Sequence, residues 1–160
     1  MSDSVKNSHE LLAEFIKNGE DFISTARSIK EADLAKTPIS GEWSAAFVIH
    51  HLCDGDLHFA TRYLNNLTED NPAIFPFNED IYPGRINYAK RDPLTSLAAI
   101  EGIFQTTKNI LAIVPESGWL RTSVHAERGV ITLADMVTLA SGHSKAHANQ
   151  LKQLLRRFKR

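Results

Sequence analysis

Apolar residues recur with a 3.6-residue rhythm in four separate stretches of this chain, and the segments joining those stretches are very unequal in length. That pattern leaves few folds open, because each stripe specifies a helix that must bury one face. The first stripe runs Leu11, Leu12, Phe15, Ile16, Gly19, Phe22, Ile23, Ala26 and Ile29, with Ser2, Asp3 and Ser4 as candidate caps and Pro38 beyond its end. The second opens at Ser44, a residue type suited to an N-cap, with Trp43 placed to staple onto Val48. It continues through Val48, Ile49, Leu52, Phe59, Tyr63 and Leu67. The third starts at Pro93, the first-turn position that proline favours, and carries Leu94, Leu97, Ile100, Phe104, Ile110 and Leu111 to Val114. The fourth begins at Thr132, with Asp135 three residues on as a near-capping box, and shows Leu133, Met136, Val137, Ala140, Leu151, Leu154 and Leu155. Only 121–124 and 129–132 carry a mild extended signal, so the chain reads as all-α.

The middle connection, about 25 residues from Thr68 to Asp92 with two prolines before Phe77 and a Pro83-Gly84 pair after it, decides the topology. A loop of that length inside a compact domain needs a reason. A helix of about 23 residues is near 35 Å long, a distance such a segment spans with ease. The expectation is a single domain over residues 1–160: a four-helix bundle whose second and third helices run parallel, joined by a long crossover.

Composition narrows the class of function. The formal net charge is -1, so bulk electrostatics favours neither nucleic acid nor an anionic membrane. No stretch reaches the roughly eighteen apolar residues of a membrane span, and the N-terminal residues lack the basic-then-apolar pattern of a secretory leader. Cys53 is the single cysteine, which rules out an internal disulfide and a cysteine-based zinc knuckle and fits a cytoplasmic protein. Any bound metal must then be held by nitrogen and oxygen.

Histidines supply that chemistry. His143 and His147 are four residues apart on the apolar stripe of the fourth helix, so both rings project from one face towards the core. Imidazole is a poor core filler and a good ligand, and two rings one turn apart can share one cation at about 2.0–2.1 Å. A third ligand must come from elsewhere, and the second helix offers His50 or His51. Those two point about 100° apart, so only one is expected inside, and periodicity does not choose between them. The zinc-protease pattern is absent, because Ser144 stands where that motif needs glutamate.

Glu42-Trp43-Ser44 followed by Val48-Ile49-His50-His51-Leu52 and then Asp54 resembles the second helix of DinB-like proteins. In that superfamily of four-helix bundles a histidine-leucine pair follows the tryptophan by eight residues. The segment from Gly129 to Asp135, then His143, His147 and Gln150-Leu151, is similar to the family's terminal motif. The resemblance covers nearly the whole chain, crossover included. It implies that His51, His143 and His147 are the metal ligands and leaves His50 at the surface or a bundle edge.

Three imidazoles leave a coordination position free, the layout of a catalytic site. Zinc, nickel or iron would suit them. The resemblance implies a metal-dependent enzyme acting on a small molecule, either a transferase using a low-molecular-weight thiol or a hydrolase, and a homodimer. A non-catalytic, stress-induced metal-binding or interaction protein is the alternative. Asp54 is the first candidate to orient a ligand ring, with Asp56 and Glu127 behind it; Asp54 and His58 are the candidates for proton transfer. Arg121 and His125, in a stretch similar to the family's just before the fourth helix, are either solvated loop residues or groups that meet an anionic substrate at the pocket mouth. Cys53 reads as a buried, inert thiol. The basic run Lys152, Arg156, Arg157, Lys159 and Arg160 offsets the dipole of the last helix. Trp119, Phe75, Phe77 and Tyr82 are expected to cover the bundle ends, or to form a pocket lid or dimer surface.

Overall fold

Each of the four apolar stripes becomes a helix, and each helix starts on a side chain that satisfies its first free N–H groups. The structure, a computed structural model, describes residues 7–158. Helix α1 (Ser8–Arg27) is capped by Asn7, whose side chain accepts from the Glu10 amide while the Glu10 carboxylate accepts from the Asn7 amide, both at 3.0 Å. The candidate caps Ser2, Asp3 and Ser4 lie outside the described residues. Helix α2 (Ala45–Thr68) is capped by Ser44, which accepts from Phe47 N at 3.3 Å. Helix α3 (Pro93–Ala112) has Asp92 as its cap, accepting from the Leu94 and Thr95 amides. Helix α4 (Leu133–Phe158) opens on the Thr132–Asp135 box, closed in both directions at 2.8 and 3.0 Å. In its basic tail Lys152 pairs with Asp21 at 2.6 Å and Arg156 and Arg157 occupy the last turn. Lys159 and Arg160 fall outside the described residues.

Side-chain pairings give the helix directions. His50 meets Ser96 near the starts of α2 and α3, and Tyr63 and Leu64 share a groove with Thr107 and Ile110 near their ends. These two helices are therefore parallel, as the crossover length requires. Asn18 bonds Ser141 and Asp21 bonds Lys152, so α1 and α4 are also parallel. Val48 and Ile49 at the start of α2 share a core cluster with Leu151 and Leu154, whereas the later Tyr63 shares another with Leu133 and Met136, which sets α2 antiparallel to α4.

The crossover is more structured than its sequence suggests. Strand β1 (Ala73–Ile74) pairs in parallel with β2 (Thr122–His125), which pairs antiparallel with β3 (Gly129–Thr132). A small three-stranded sheet thus accompanies the helices, where the sequence shows only two mildly extended segments. Strands of two to four residues are too short for a period-2 pattern to register. Gly129, at φ 72°, adopts the left-handed conformation that this hairpin end needs. The rest of the crossover contains the 3-10 turns Glu79–Ile81 and Tyr88–Lys90 and the one-turn helix Tyr82–Arg85.

Two apolar clusters fill the bundle. One gathers Phe22, Ala26, Val48, Ile49, Leu52, Ala148, Leu151 and Leu154; the other gathers Leu11, Phe15, Phe104, Leu133, Met136, Val137 and Ala140. Fully burying each such large side chain contributes about 1.5–3 kcal/mol. On α4, Ala140 belongs to one cluster and Ala148 to the other, so His143 and His147 occupy the polar gap between them. Among the described residues no helix is long and apolar enough to cross a membrane.

Candidate metal centre

His51 comes from α2, and His143 and His147 from successive turns of α4. The three rings stand nearly edge to face, with centroids 4.5 to 4.9 Å apart. Nε2 of His143 is 2.9 Å from Nε2 of His51 and 3.1 Å from Nε2 of His147. Gly55 permits this approach: a Cβ there would lie 3.2 Å from Cε1 of His143. Trp43 packs edge-on against the His51 ring at 5.1 Å. The family-motif residue Gln150 fixes the third ring, its Oε1 lying 2.8 Å from Nδ1 of His147; with that acceptor taking the Nδ1 proton, Nε2 is left as a lone-pair donor.

Burial keeps the rings neutral. It pushes His51 down to about 4, with His147 adding to the effect, and His143 down to about 3, with His147 and then His51 adding. His147 is lowered by burial too, partly offset by Gln150. Neutral imidazole is the form that binds metal. Nδ1 of His51 and of His143 are buried without a hydrogen-bond partner. Three nitrogens that converge this closely cannot all be satisfied by sharing protons among themselves. An ion with nitrogen ligands at about 2.0–2.1 Å in a tetrahedron sets those nitrogens about 3.3 Å apart, within a few tenths of an ångström of the two closest spacings. The donor set fits a divalent transition metal.

The rest of the site departs from expectation in instructive ways. His50, expected at the surface or a bundle edge, is fully buried: its Nδ1 is 2.8 Å from the Ser96 hydroxyl and its ring lies 5.3 Å from that of Tyr88. Here α2 is covered on two sides, by α4 and by α3 with the crossover, so adjacent residues can both be inside. Asp54 makes no hydrogen bond to a histidine ring. Its oxygens accept from Arg91 at 2.7 and 2.9 Å and from the Tyr88 hydroxyl at 2.7 Å. His58 bonds the Tyr82 hydroxyl at 2.8 Å and stacks on Phe77 at 3.9 Å. Asp56 faces the core beside Tyr63 and Phe104, and burial pushes its carboxyl up to about 7.

Arg121, expected in solvent or at a pocket mouth, instead donates to the carbonyls of Asn66 and Glu69 at 2.7 Å and so secures the C-terminal end of α2. His125 does line the cleft that reaches His143, and its ring Nδ1 accepts from the Glu127 and Arg128 amides in its own hairpin turn. Cys53 is buried and its thiol pushed up by burial, as an inert core thiol should be. Trp119 is buried in the core, whereas Phe75 is 80% exposed and covers nothing.

A cleft of about 240 Å³ leads to His143, walled by Phe59, Phe77, Met136 and Leu139 and carrying Arg62, Arg128, Glu79 and Glu127 at its polar positions. Glu79 is the site residue that sequence reasoning missed: its Oε2 lies 3.5 Å from Nε2 of His51. It stands in an aperiodic loop, and no spacing rule connects it to the histidines. Gln150 was within reach of such a rule, three residues after His147 on one helix.

Comparison with known proteins agrees with this geometry. Two relatives carry the name "Putative metal-dependent hydrolase". YfiT from Bacillus subtilis is 29% identical over 119 residues, 74% of this chain and 67% of the relative. A Bacillus mycoides protein is 27% identical over 153 residues, 93% of this chain and 88% of the relative. The solved structure of YfiT, described as an unusual four-helix bundle, superposes with a TM-score of 0.83 at 22% identity, covering 99% of this chain and 93% of that one. A mycothiol-dependent maleylpyruvate isomerase shares the fold at a TM-score of 0.73 and 14% identity, over 92% of this chain and 63% of the isomerase. A sequence model of the DinB superfamily matches residues 14–151, and the chain belongs to that superfamily.

Proposed function

We propose that this protein is a metal-dependent enzyme acting on a small molecule, with His51, His143 and His147 as the ligands of one divalent ion and hydrolysis as the reaction class. The observation that carries this reading is the convergence of three neutral Nε2 atoms, two pairs of them 2.9 and 3.1 Å apart, with His143 lining a cleft. The names of the relatives support the reaction class. When bound, a divalent ion supplies Lewis acidity, making water or a thiol acidic enough to act as a nucleophile near neutral pH. Zinc, nickel and iron all suit three imidazoles.

The chain's own residues would then bind and orient. Gln150 holds the His147 ring, Trp43 packs against His51, and Gly55 admits His143. Phe59, Phe77 and Leu139 offer an apolar wall to the substrate, and Arg62 and Arg128 offer positive charge to an anionic group. We assign Asp54 and His58 to positioning, because their polar atoms are already engaged by the crossover residues Tyr88, Arg91 and Tyr82. A second reading, transfer involving a low-molecular-weight thiol, is favoured by the shared fold with the mycothiol-dependent isomerase.

The test is metal content. Protein purified without a polyhistidine tag is expected to carry about one equivalent of a divalent transition metal, and the double variant His143→Ala/His147→Ala to carry none. Undiminished metal in the double variant would refute the reading. A panel of hydrolysable esters and amides, run beside thiol acceptors, then separates the two reaction classes.

A further inference from the structure

The crossover passes over the histidine trio, and one of its side chains reaches it. Glu79 begins the 3-10 turn Glu79–Ile81, and its Oε2 lies 3.5 Å from Nε2 of His51, the same nitrogen that lies 2.9 Å from His143. The carboxylate therefore reaches the trio at its His51 edge, just outside the cluster in which the three ring nitrogens lie within 4.8 Å of one another, and it shares a cleft with His143.

Its position is over-determined by contacts on either side. Before it, the Phe75 carbonyl accepts from Arg62 at 2.9 Å, and Phe77 is sandwiched between the His58 ring at 3.9 Å and the Arg62 guanidinium at 4.9 Å. After it, Tyr82 bonds His58 at 2.8 Å. The Asn78 side chain accepts from the Asp80 amide at 3.1 Å and shapes the turn between those pins. His58 follows His51 by two helical turns, so the ligand and the residue that fastens the crossover lie on one face of α2. Two aromatic side chains and an arginine are thus spent on holding one loop carboxylate against a cluster of nitrogen donors.

We propose that Glu79 is a fourth ligand of the metal centre, delivered by the crossover. This inference rests on the metal-binding reading above. Asp and Glu oxygens join imidazoles on zinc and related ions, and such sites can expand to five ligands when a substrate enters. An anionic fourth donor also offsets part of the dipositive charge that three neutral rings leave uncompensated in a buried setting. The length of the crossover follows: it must span the bundle and carry one side chain to its middle.

The test uses the full chain, with Zn2+ affinity read by competition against a chromophoric chelator and the d–d absorption of the Co2+-substituted protein. Glu79→Gln keeps size and removes the anionic donor. It is expected to weaken Zn2+ binding about tenfold or more and to change the Co2+ spectrum. Asp80→Asn, a neighbouring charge that acts on His51 through space, is expected to leave both within about twofold of the parent. A Glu79→Gln protein with parental affinity and spectrum overturns the inference, as does an equal loss in both variants. If the parent holds Zn2+ and His143→Ala/His147→Ala does not, that failure belongs to Glu79 alone. A parent that binds no Zn2+ overturns both readings.

Discussion

His50 and His51 are neighbours on one helix and both are buried, yet they enter opposite kinds of polar interior. His50 faces a network whose charged groups are paired within the protein: Ser96 meets its Nδ1, Arg91 spans Ser96 and Asp54, and Tyr88 donates to Asp54, while Nε2 of His50 itself has no partner. Every charge there has a partner. His51 faces two more imidazoles whose nearest nitrogens have lone pairs to offer and few protons to share. The first cluster is a structural lock between α2 and the end of the crossover. The second is incomplete as protein, and in the proposed function a cation completes it. Adjacent buried polar groups are thus told apart by what surrounds them: a lone ring among paired charges on one side, and three convergent ring nitrogens with no charge between them on the other, a set that is costly when buried unless something else binds there.

The comparison can be broken from the lock side first. Asp54→Ala leaves the Arg91 guanidinium without its carboxylate, and removing one partner of a buried pair is strongly destabilising. A loss of about 3 kcal/mol is expected from urea unfolding, with metal content per folded molecule unchanged. A variant that keeps its stability but loses its metal would place Asp54 in the metal centre instead. His50→Gln should do less: it trades one buried hydrogen bond for an imperfect one, for about 1 kcal/mol, and should again spare the metal.

The smallest effect is gradual and needs the metal-free protein. In the unfolded chain these histidines titrate near the ordinary value of 6.5, whereas burial holds His51 at about 4 and His143 at about 3 in the folded state. Between those values and 6.5 the unfolded state binds more protons than the folded one, so stability falls as pH falls through that window. Melting temperature measured with chelator present should be flat above about pH 7 and drop progressively below 6.5. A flat profile down to pH 4 would mean the rings are already protonated or solvent-exposed.

The two clusters also differ in how legible they were. The His143–His147 pair and its inward face follow from one helix's periodicity, and the family motif around Trp43 selects His51 over His50. The four helices, the parallel α2–α3 pair and the Thr132–Asp135 cap follow from apolar spacing and cap chemistry alone. The lock could not be read, because Tyr88 and Arg91 lie in the aperiodic crossover and meet Asp54 only after that segment has crossed the bundle. The same holds for Glu79. His50 was misplaced because a two-face rule for helices fails where a helix is covered on both sides. Arg121 was misplaced because a basic loop residue next to a helix end serves that end's carbonyls as readily as any ligand.

The most direct measurement is anomalous X-ray scattering from crystals of the purified protein, collected above and below the zinc, nickel and iron edges. A single peak, present above one edge and absent below it, is expected at the point enclosed by Nε2 of His51, His143 and His147. A metal peak elsewhere in the molecule, or none at these nitrogens in protein that binds metal in solution, would contradict the account.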